Sequence, residues 1–203
     1  PTVEILPTIQ AQITSRTRLI AISHVSWLDG AVLPVRELAG HGVPVLVDGA
    51  QGAGAIPVSV EELGADYYTV SAQKWLLGPG GTGALYIAPC RLDDCRVTFP
   101  SYLSWKLPHY EFRDGARRFD GSWTPAASIA GLQASLSFAA KAGEERFIRA
   151  RRAAERCRTL LLEHGADVDV GHHGPPKASA GCTETARRSP AALATPKSAT
   201  LTV

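Results

Sequence analysis

Short apolar runs alternate with helical patterns through the first half of the chain. Strand-like runs lie at Leu19–Val25, Val43–Val47 and Ala65–Val70, and the second is almost wholly apolar, as in a central parallel strand covered on both faces. Helical spacing separates them at Pro34–Gly42, where Gly42 is a plausible C-cap, and at Val58–Leu63. This β-α-β-α-β alternation predicts an α/β fold.

A glycine-rich turn, Gly78–Gly83, leads into a fourth strand-like run at Ala84–Ala88. A connection this short favours an antiparallel return over a crossover. No helix follows the turn and no Gly-Lys-Ser/Thr is present, which disfavours a P-loop or dinucleotide site. The predicted fold class is therefore α/β with three layers, a mostly parallel sheet and one antiparallel return strand.

Two long helices and a tail of different composition complete the chain. Helical periodicity covers Pro125–Ala142 and Glu144–His164. The first helix ends at residue 142, and the second lies within residues 143–170. Residues 171–203 contain no aromatic side chain and are rich in Ala, Ser, Thr and Pro. They are predicted to be a disordered or aberrant tail.

Composition narrows the class of protein. The 203 residues are 45% hydrophobic and carry a net charge of +2, which gives no case for a general nucleic-acid binder. The four cysteines lack C-x-x-C spacing and predict reduced thiols in a cytoplasmic protein. No apolar run approaches a membrane span of roughly 20 residues, and no secretory signal is recognisable. His172 and His173 have no clustered partner ligands, so no metal site is predicted.

Polar residues follow three of the strand-like runs, where ligands gather in doubly wound sheets. The three segments are Ser23-His24-Val25-Ser26, Asp48-Gly49-Ala50-Gln51 and Ser71-Ala72-Gln73-Lys74. An aspartate and a lysine at neighbouring strand ends are what a pyridoxal 5'-phosphate (PLP) enzyme needs. The lysine forms a Schiff base with the cofactor, and the carboxylate pairs with the protonated pyridine nitrogen.

The chemistry of PLP assigns a task to each polar residue. Asp48 would keep the pyridine nitrogen protonated, and Gln51 could donate to the phenolate oxygen of the ring. Ser71 could bind the phosphate, while Gln73 would flank the lysine–cofactor linkage. Lys74, if desolvated, would have a lowered pKa and serve as nucleophile and then as base.

Residues 19–138 resemble the class V aminotransferases, the fold-type I PLP group that includes cysteine desulfurases and isopenicillin-epimerase-like proteins. The motifs that carry the resemblance are Ser23–Ser26, Val47–Gly52, Ser71–Lys74, Gly80–Gly83 and Gly121-Ser122. The resemblance implies the same roles for Asp48, Gln51 and Lys74. It also matches Ser71 to the family's phosphate-binding position and Gln73 to the position beside the lysine–cofactor linkage.

The resemblance adds three further candidates. Ser26 falls where many desulfurases carry an asparagine near the ring. Ser122 falls where the family has a threonine that reaches the phosphate of the neighbouring subunit, which implies a homodimer. His24 is either a contact to the cofactor or a core histidine that is bonded internally.

These features predict a PLP-dependent enzyme that acts on an amino-acid-like substrate through Lys74. Transamination, epimerisation, desulfuration and β-elimination all remain open. By resemblance, residues 1–142 are part of the family's PLP-binding large domain, which begins upstream of Pro1. Residues 143–170 are a connecting helix toward the family's small domain, which carries the substrate-binding arginine and should follow the second long helix. We therefore expect a central piece of a longer enzyme, and the alternative is a catalytically inert fragment of one.

Overall fold

A computed structural model describes residues 2–121, 125–166 and 168. Its centre is a four-stranded sheet with the strands in sequence order, the first three parallel and the fourth antiparallel. The strands are β1 (Ile20–Ser23), β2 (Val45–Asp48), β3 (Tyr67–Ser71) and β4 (Gly83–Ile87). The prediction of a mostly parallel α/β sheet with one antiparallel return is confirmed.

The described residues contain five α-helices, and four of them follow the predicted order. They are α1 (Thr2–Gln12), α2 (Val35–Leu38), α3 (Val60–Leu63), α4 (Ala126–Ala142) and α5 (Glu145–Glu163). The sequence did not predict α1, because Pro7 lies inside it and proline is unfavourable within a helix. Leu6 and Ile9 of α1 pack against the core, so tertiary contacts outweigh this local penalty.

The core lies on one face of the sheet. Val45, Val47 and Tyr68 point to this face and are almost fully buried. Val35 and Leu38 of α2 pack into the same cluster. Because side chains alternate along a strand, the neighbours of these strand residues point to the opposite face. That second face is the one that presents polar side chains at the ends of the strands.

The register of the parallel strands aligns their carboxyl ends. Ser23 pairs with Asp48 across β1 and β2, and Asp48 pairs with Thr69 across β2 and β3. These three side chains therefore share one face and one row. The residues that follow each of these strands form turns, and the three turns lie together at one end of the sheet.

Asp66 links neighbouring strands at the opposite end of the sheet, where the parallel strands begin. One carboxylate oxygen of Asp66 accepts the backbone N–H of Val45 at 2.8 Å, and the other accepts Nε of Arg91 at 2.6 Å. Asp66 thereby joins the starts of β2 and β3 to the 3-10 helix Pro89–Arg91 that follows β4. The ion pair raises the pKa of the Arg91 guanidinium.

The Gly78–Gly83 segment forms the tight turn between β3 and β4. Within it, Thr82 Oγ1 donates to the Pro79 carbonyl at 2.6 Å. Helix α4 packs closely on the turn, because a Cβ added at Gly131 would lie 2.6 Å from Cγ of Pro79. The glycines thus serve chain reversal and helix packing.

The segment between β4 and α4 is mostly irregular and contains only short regular elements. Trp105–Lys106 and Glu111–Phe112 form a two-stranded antiparallel ribbon, in which the rings of Trp105 and Phe112 stack at 4.3 Å. A 3-10 helix follows at Gly115–Phe119. Ser122 and the predicted tail at residues 171–203, with His172 and His173, lie outside the described residues.

Two kinds of feature are absent from the described residues. No helix in those ranges has the length and apolar character needed to cross a bilayer. Nor do the same ranges contain a group of three or more His, Cys, Asp or Glu side chains placed to hold a metal ion.

Gly49, in the turn after β2, has no room for a side chain. A Cβ there would lie 2.0 Å from Cε1 of Tyr68 and 2.5 Å from the Thr69 carbonyl oxygen. We predict that Gly49→Ala lowers the free energy of unfolding by about 3 kcal/mol or more, because neither the buried ring nor the strand backbone can move freely.

The matched control is Gly40→Ala. Gly40 has no neighbouring atom within 4 Å of an added Cβ and does not have a positive φ, so we expect a change of less than about 1 kcal/mol. Urea denaturation of both variants measures the difference. Equal stabilities would show that the close approach at Gly49 does not exist.

Candidate functional site

A cavity of about 240 Å³ opens where the three parallel strands end. Side chains from all three strand ends contribute to it: Ser23, Val25, Trp27, Asp48, Ala50, Gln51 and Lys74 line its walls. The structure therefore brings together three residues that the sequence assigned to one cofactor, namely Asp48, Gln51 and Lys74. Ligand cavities are usually larger, roughly 300–1,000 Å³, so these residues form the floor of a site more than a full enclosure.

Asp48 is held by its neighbours through a single oxygen. Oδ1 accepts the backbone N–H of Ala50 at 2.9 Å and the hydroxyl of Thr69 at 3.3 Å. The first contact is the Asx-type turn that follows β2, and the second depends on the register of β2 and β3. Within the described ranges, Oδ2 has no hydrogen-bond partner. Asp48 therefore offers the cavity one anionic oxygen in a fixed position.

The turn after Asp48 is compact because glycines let other groups approach its backbone. A Cβ at Gly52 would lie 2.9 Å from Nδ1 of His24, and one at Gly54 would lie 2.8 Å from the carbonyl carbon of Trp75. Gly54 also has a φ of +93°, which disfavours other residues. The turn thus packs directly against the turn that carries Lys74.

Lys74 lies in a tight turn that follows β3. Its backbone N–H donates to the Ser71 carbonyl at 3.4 Å, and the N–H of Gly78 closes the turn on the Ala72 carbonyl at 2.7 Å. Leu77 adopts a positive φ of 59° inside the same turn. The side chain of Lys74 is exposed, and among the described residues its amine forms no ion pair or hydrogen bond. The amine is consequently available to a ligand in the cavity.

Gln51 is oriented by the residue that follows Lys74. The indole Nε1–H of Trp75 donates to Oε1 of Gln51 at 2.9 Å. The sequence did not predict this contact, because the two residues are 24 positions apart and belong to different turns.

His24 lies on the core side of the sheet, beneath the cavity. Its side chain is only 4% exposed, and Nδ1 is joined to the hydroxyl of Tyr68 by a hydrogen bond of 2.9 Å. Burial lowers the pKa of His24. Burial and the nearby charge of Asp48 raise the pKa of Tyr68 to about 12. Of the two interpretations of His24, these contacts favour the internally bonded core histidine.

Four other predicted residues lie near the strand ends or outside the described part. Ser26 is half-buried, and its hydroxyl accepts the N–H of Leu28 at 3.3 Å. Ser71 is half-buried at the end of β3, and Gln73 is exposed in the turn that follows. Ser122 is outside the described residues, so its predicted contact to a neighbouring subunit stays a prediction.

Sequence reasoning assigned no role to Ser23 or Trp27, which both line the cavity. The signal for Ser23 was present, because it pairs with Asp48 and alternation places it on the same face. Trp27 gave no such signal, since it lies in the loop after β1, where side-chain direction does not follow a strand period. Its side chain is 76% exposed.

This arrangement combines a primary amine, an anchored carboxylate and an amide in one small cavity. The amine can attack a carbonyl carbon, the carboxylate can accept a hydrogen bond from a protonated ring nitrogen, and the amide can donate or accept. All three stand at the carboxyl edge of a parallel sheet, the usual ligand position in this architecture.

Comparisons with known proteins agree with this geometry. The family model for class V aminotransferases matches residues 3–189, most of the chain, and continues past Gly171 into the segment predicted as a tail. A cysteine desulfurase of Escherichia coli is 31% identical over 188 residues, 85% of this chain and 43% of its own length. Isopenicillin N epimerase of Streptomyces clavuligerus is 37% identical over 112 residues, 49% of this chain and 27% of its own.

Solved structures of similar proteins share the fold. The cystine C-S lyase C-DES, solved with its product cysteine persulfide, superposes with a TM-score of 0.65 at 34% identity, over 70% of this chain and 41% of its own. Another structure of C-DES, a lysine-to-alanine mutant, has glycine covalently linked to its PLP cofactor. A cysteine desulfurase of Thermococcus onnurineus gives a TM-score of 0.66 at 26% identity, over 77% of this chain and 42% of its own.

The chain spans less than half the length of these relatives.

The buried pair of His24 and Tyr68 makes stability depend on pH. Unfolding exposes His24, whose pKa then returns to about 6.5, whereas in the folded protein it is lower. Below about pH 6.5 the unfolded state binds more protons, so the free energy of unfolding falls as pH falls. We predict that chemical denaturation between pH 7.5 and 5.5, values that bracket this pKa, shows a loss that His24→Asn abolishes.

The control is His109→Asn, which removes an exposed imidazole that makes no hydrogen bond among the described residues and should retain the wild-type pH dependence. If His24→Asn and wild type lose stability in parallel over this range, His24 is not the group responsible.

Proposed function

Because the chain belongs to the class V aminotransferase family, we propose that it forms the cofactor-binding part of a PLP-dependent enzyme. The enzyme acts on an amino-acid-like substrate, and Lys74 is the residue that attaches the cofactor. The observation that carries this proposal is the convergence of Asp48, Gln51 and Lys74 on one cavity at the ends of β1–β3.

The chemistry of the donor set fits PLP. The cofactor presents an aldehyde, a pyridine nitrogen and a phenolic oxygen, and the cavity offers the amine of Lys74, the carboxylate of Asp48 and the amide of Gln51. When bound, PLP withdraws electrons from the substrate carbon that bears the amino group. Ser71 and Ser122 remain the proposed phosphate contacts, with Gln73 and Ser26 nearby.

Asp48 supplies the fixed negative charge. Its Oδ1 is occupied by Ala50 and Thr69, which leaves Oδ2 to accept a hydrogen bond from the ring nitrogen. A carboxylate with one bonded and one open oxygen is oriented before any ligand arrives. Charge-assisted hydrogen bonds of this kind are about twice as strong as neutral ones.

Lys74 supplies the nucleophile and a proton carrier. Its turn, closed by Gly78 on Ala72, aims the residue at the cavity that Asp48 lines. Its amine would hold the cofactor, and the same amine, when not so engaged, could take a proton from the substrate and return it. His24 supports the floor of the site from the core, through Tyr68.

The wider assignment follows from the relatives. They are named as desulfurases, a C-S lyase and an epimerase, so we propose transaminase, epimerase or desulfurase/lyase chemistry.

A homodimer, in which Ser122 reaches the neighbouring phosphate site, belongs to the same proposal. So does a cytoplasmic location, which the free thiols of Cys90, Cys95 and Cys157 support.

Replacement of Lys74 tests the attachment directly. We predict that the purified protein develops a visible absorption band with PLP, that borohydride bleaches the band, and that a covalent mass increment remains. Lys74→Ala should show neither the band nor the increment, because the amine is gone. Lys141→Ala, at an exposed position in the last turn of α4, should behave as wild type.

Two outcomes would contradict the proposal. A wild-type protein that shows no band would support the alternative, a catalytically inert member of the family. A band that persists in Lys74→Ala and vanishes in Lys141→Ala would move the attachment to another lysine.

Asp48→Asn tests the ring-nitrogen contact. Because the substitution keeps the size of the side chain and removes its charge, we expect PLP affinity to fall about 10- to 100-fold, the usual weight of a charged hydrogen bond. Asp93→Asn is the control, since Asp93 is exposed and pairs with Arg118 away from the cavity. Equal affinities in a fluorescence titration of the two variants would exclude Asp48 as the partner.

A further inference from the structure

We infer that Trp75 is a positioning residue that fixes the amide of Gln51, so that the amide nitrogen of Gln51 faces the cavity. The inference rests on the proposed function for its consequence, the binding of PLP, but not for its geometry. It begins from the bond of 2.9 Å between Nε1 of Trp75 and Oε1 of Gln51.

The chemistry of indole settles which end of the amide faces Trp75. A glutamine amide can present either its oxygen or its nitrogen to a neighbour. The indole Nε1–H is a donor only, so the group that it contacts must be an acceptor. The oxygen of Gln51 is therefore turned toward Trp75, and the NH₂ group is turned away from it.

The amide nitrogen then remains for a ligand. Gln51 lines the cavity together with Asp48 and Lys74. Among the described residues, Nε2 of Gln51 has no hydrogen-bond partner. A cavity that contains a carboxylate, an amine and an amide nitrogen presents an acceptor and two donors. Rotation of the amide by half a turn would replace one donor with an acceptor and repel an anionic oxygen of the ligand.

The backbone around Trp75 keeps the donor in place. The carbonyl carbon and oxygen of Trp75 lie against Gly54, where an added Cβ would come within 2.8 Å of both. The carbonyl oxygen of Gly54 in turn accepts a hydrogen bond of 2.6 Å from Nη2 of Arg146, which belongs to α5. Trp75 is 54% exposed, so removal of its indole should not threaten the fold. The hydrogen bond to Gln51 therefore accounts for the position of the indole better than core packing does.

The first arm of the test uses the protein without cofactor. NMR of the indole N–H groups identifies the Trp75 signal by its loss in Trp75→Phe. In Gln51→Leu we expect this signal to shift and to exchange with water faster, because its acceptor is gone. In Gln51→Glu, which retains an acceptor oxygen, the signal should stay bonded. A Trp75 signal unaffected by Gln51→Leu would overturn the inference.

The second arm measures PLP affinity in a Lys74→Ala background, where binding is reversible. We expect Trp75→Phe to weaken binding about 2- to 5-fold and Gln51→Leu about 3- to 10-fold, the range of one neutral hydrogen bond. The double variant should be no weaker than Gln51→Leu, because Trp75 acts only through Gln51. Trp105→Phe, which alters a ring stacked on Phe112 instead, should leave affinity unchanged.

The two arms of the experiment distinguish a failure of this inference from a failure of the proposed function. Independent, multiplying penalties for Trp75→Phe and Gln51→Leu would show that Trp75 acts by another route and would overturn the inference. If no protein, wild type included, binds PLP, the proposed function fails, and the NMR arm alone decides whether Trp75 orients Gln51.

Discussion

The in-register pairing of three parallel strands is the constraint on which the site depends. Ser23, Asp48 and Thr69 occupy one row across β1, β2 and β3. That row fixes the face on which Asp48 points and brings Thr69 within hydrogen-bond distance of its carboxylate. A slip of one residue in either pairing would turn Asp48 into the core, where an unpaired charge is costly.

The turns after β2 and β3 convert this register into a site. Gly54 packs on the backbone of Trp75, and Trp75 bonds to Gln51, so each turn braces the other. Arg146 extends the brace to α5 through the carbonyl of Gly54. A family that binds a reactive cofactor needs such mutual support, because a shift of about 1 Å at the reacting groups is expensive for catalysis. Close backbone packing provides it without large side chains.

The sequence revealed the strands and the polar residues at their ends because both depend on local patterns. Asp48 directly follows an apolar run, Lys74 lies in the turn after the next strand-like run, and the chemistry of the pair suggests a cofactor. Contacts between turns were not predictable, since nothing local links Trp75 to Gln51. His24 was also not predictable from its local motif. The motif suggested a residue of the site, but side chains alternate along β1, so His24 points away from Ser23 and lies beside Tyr68 in the core. Helix α1 was missed because Pro7 argues against a helix that packing stabilises.

Hydrogen exchange in the presence and absence of PLP tests the central claim, that two interlocked turns at the ends of the strands form one binding site. The account predicts that backbone amides of residues 49–54 and 72–78 gain protection together when PLP is added. The backbone amides of α4 and α5 should not change. Protection confined to those helices, or to one turn without the other, would contradict the account.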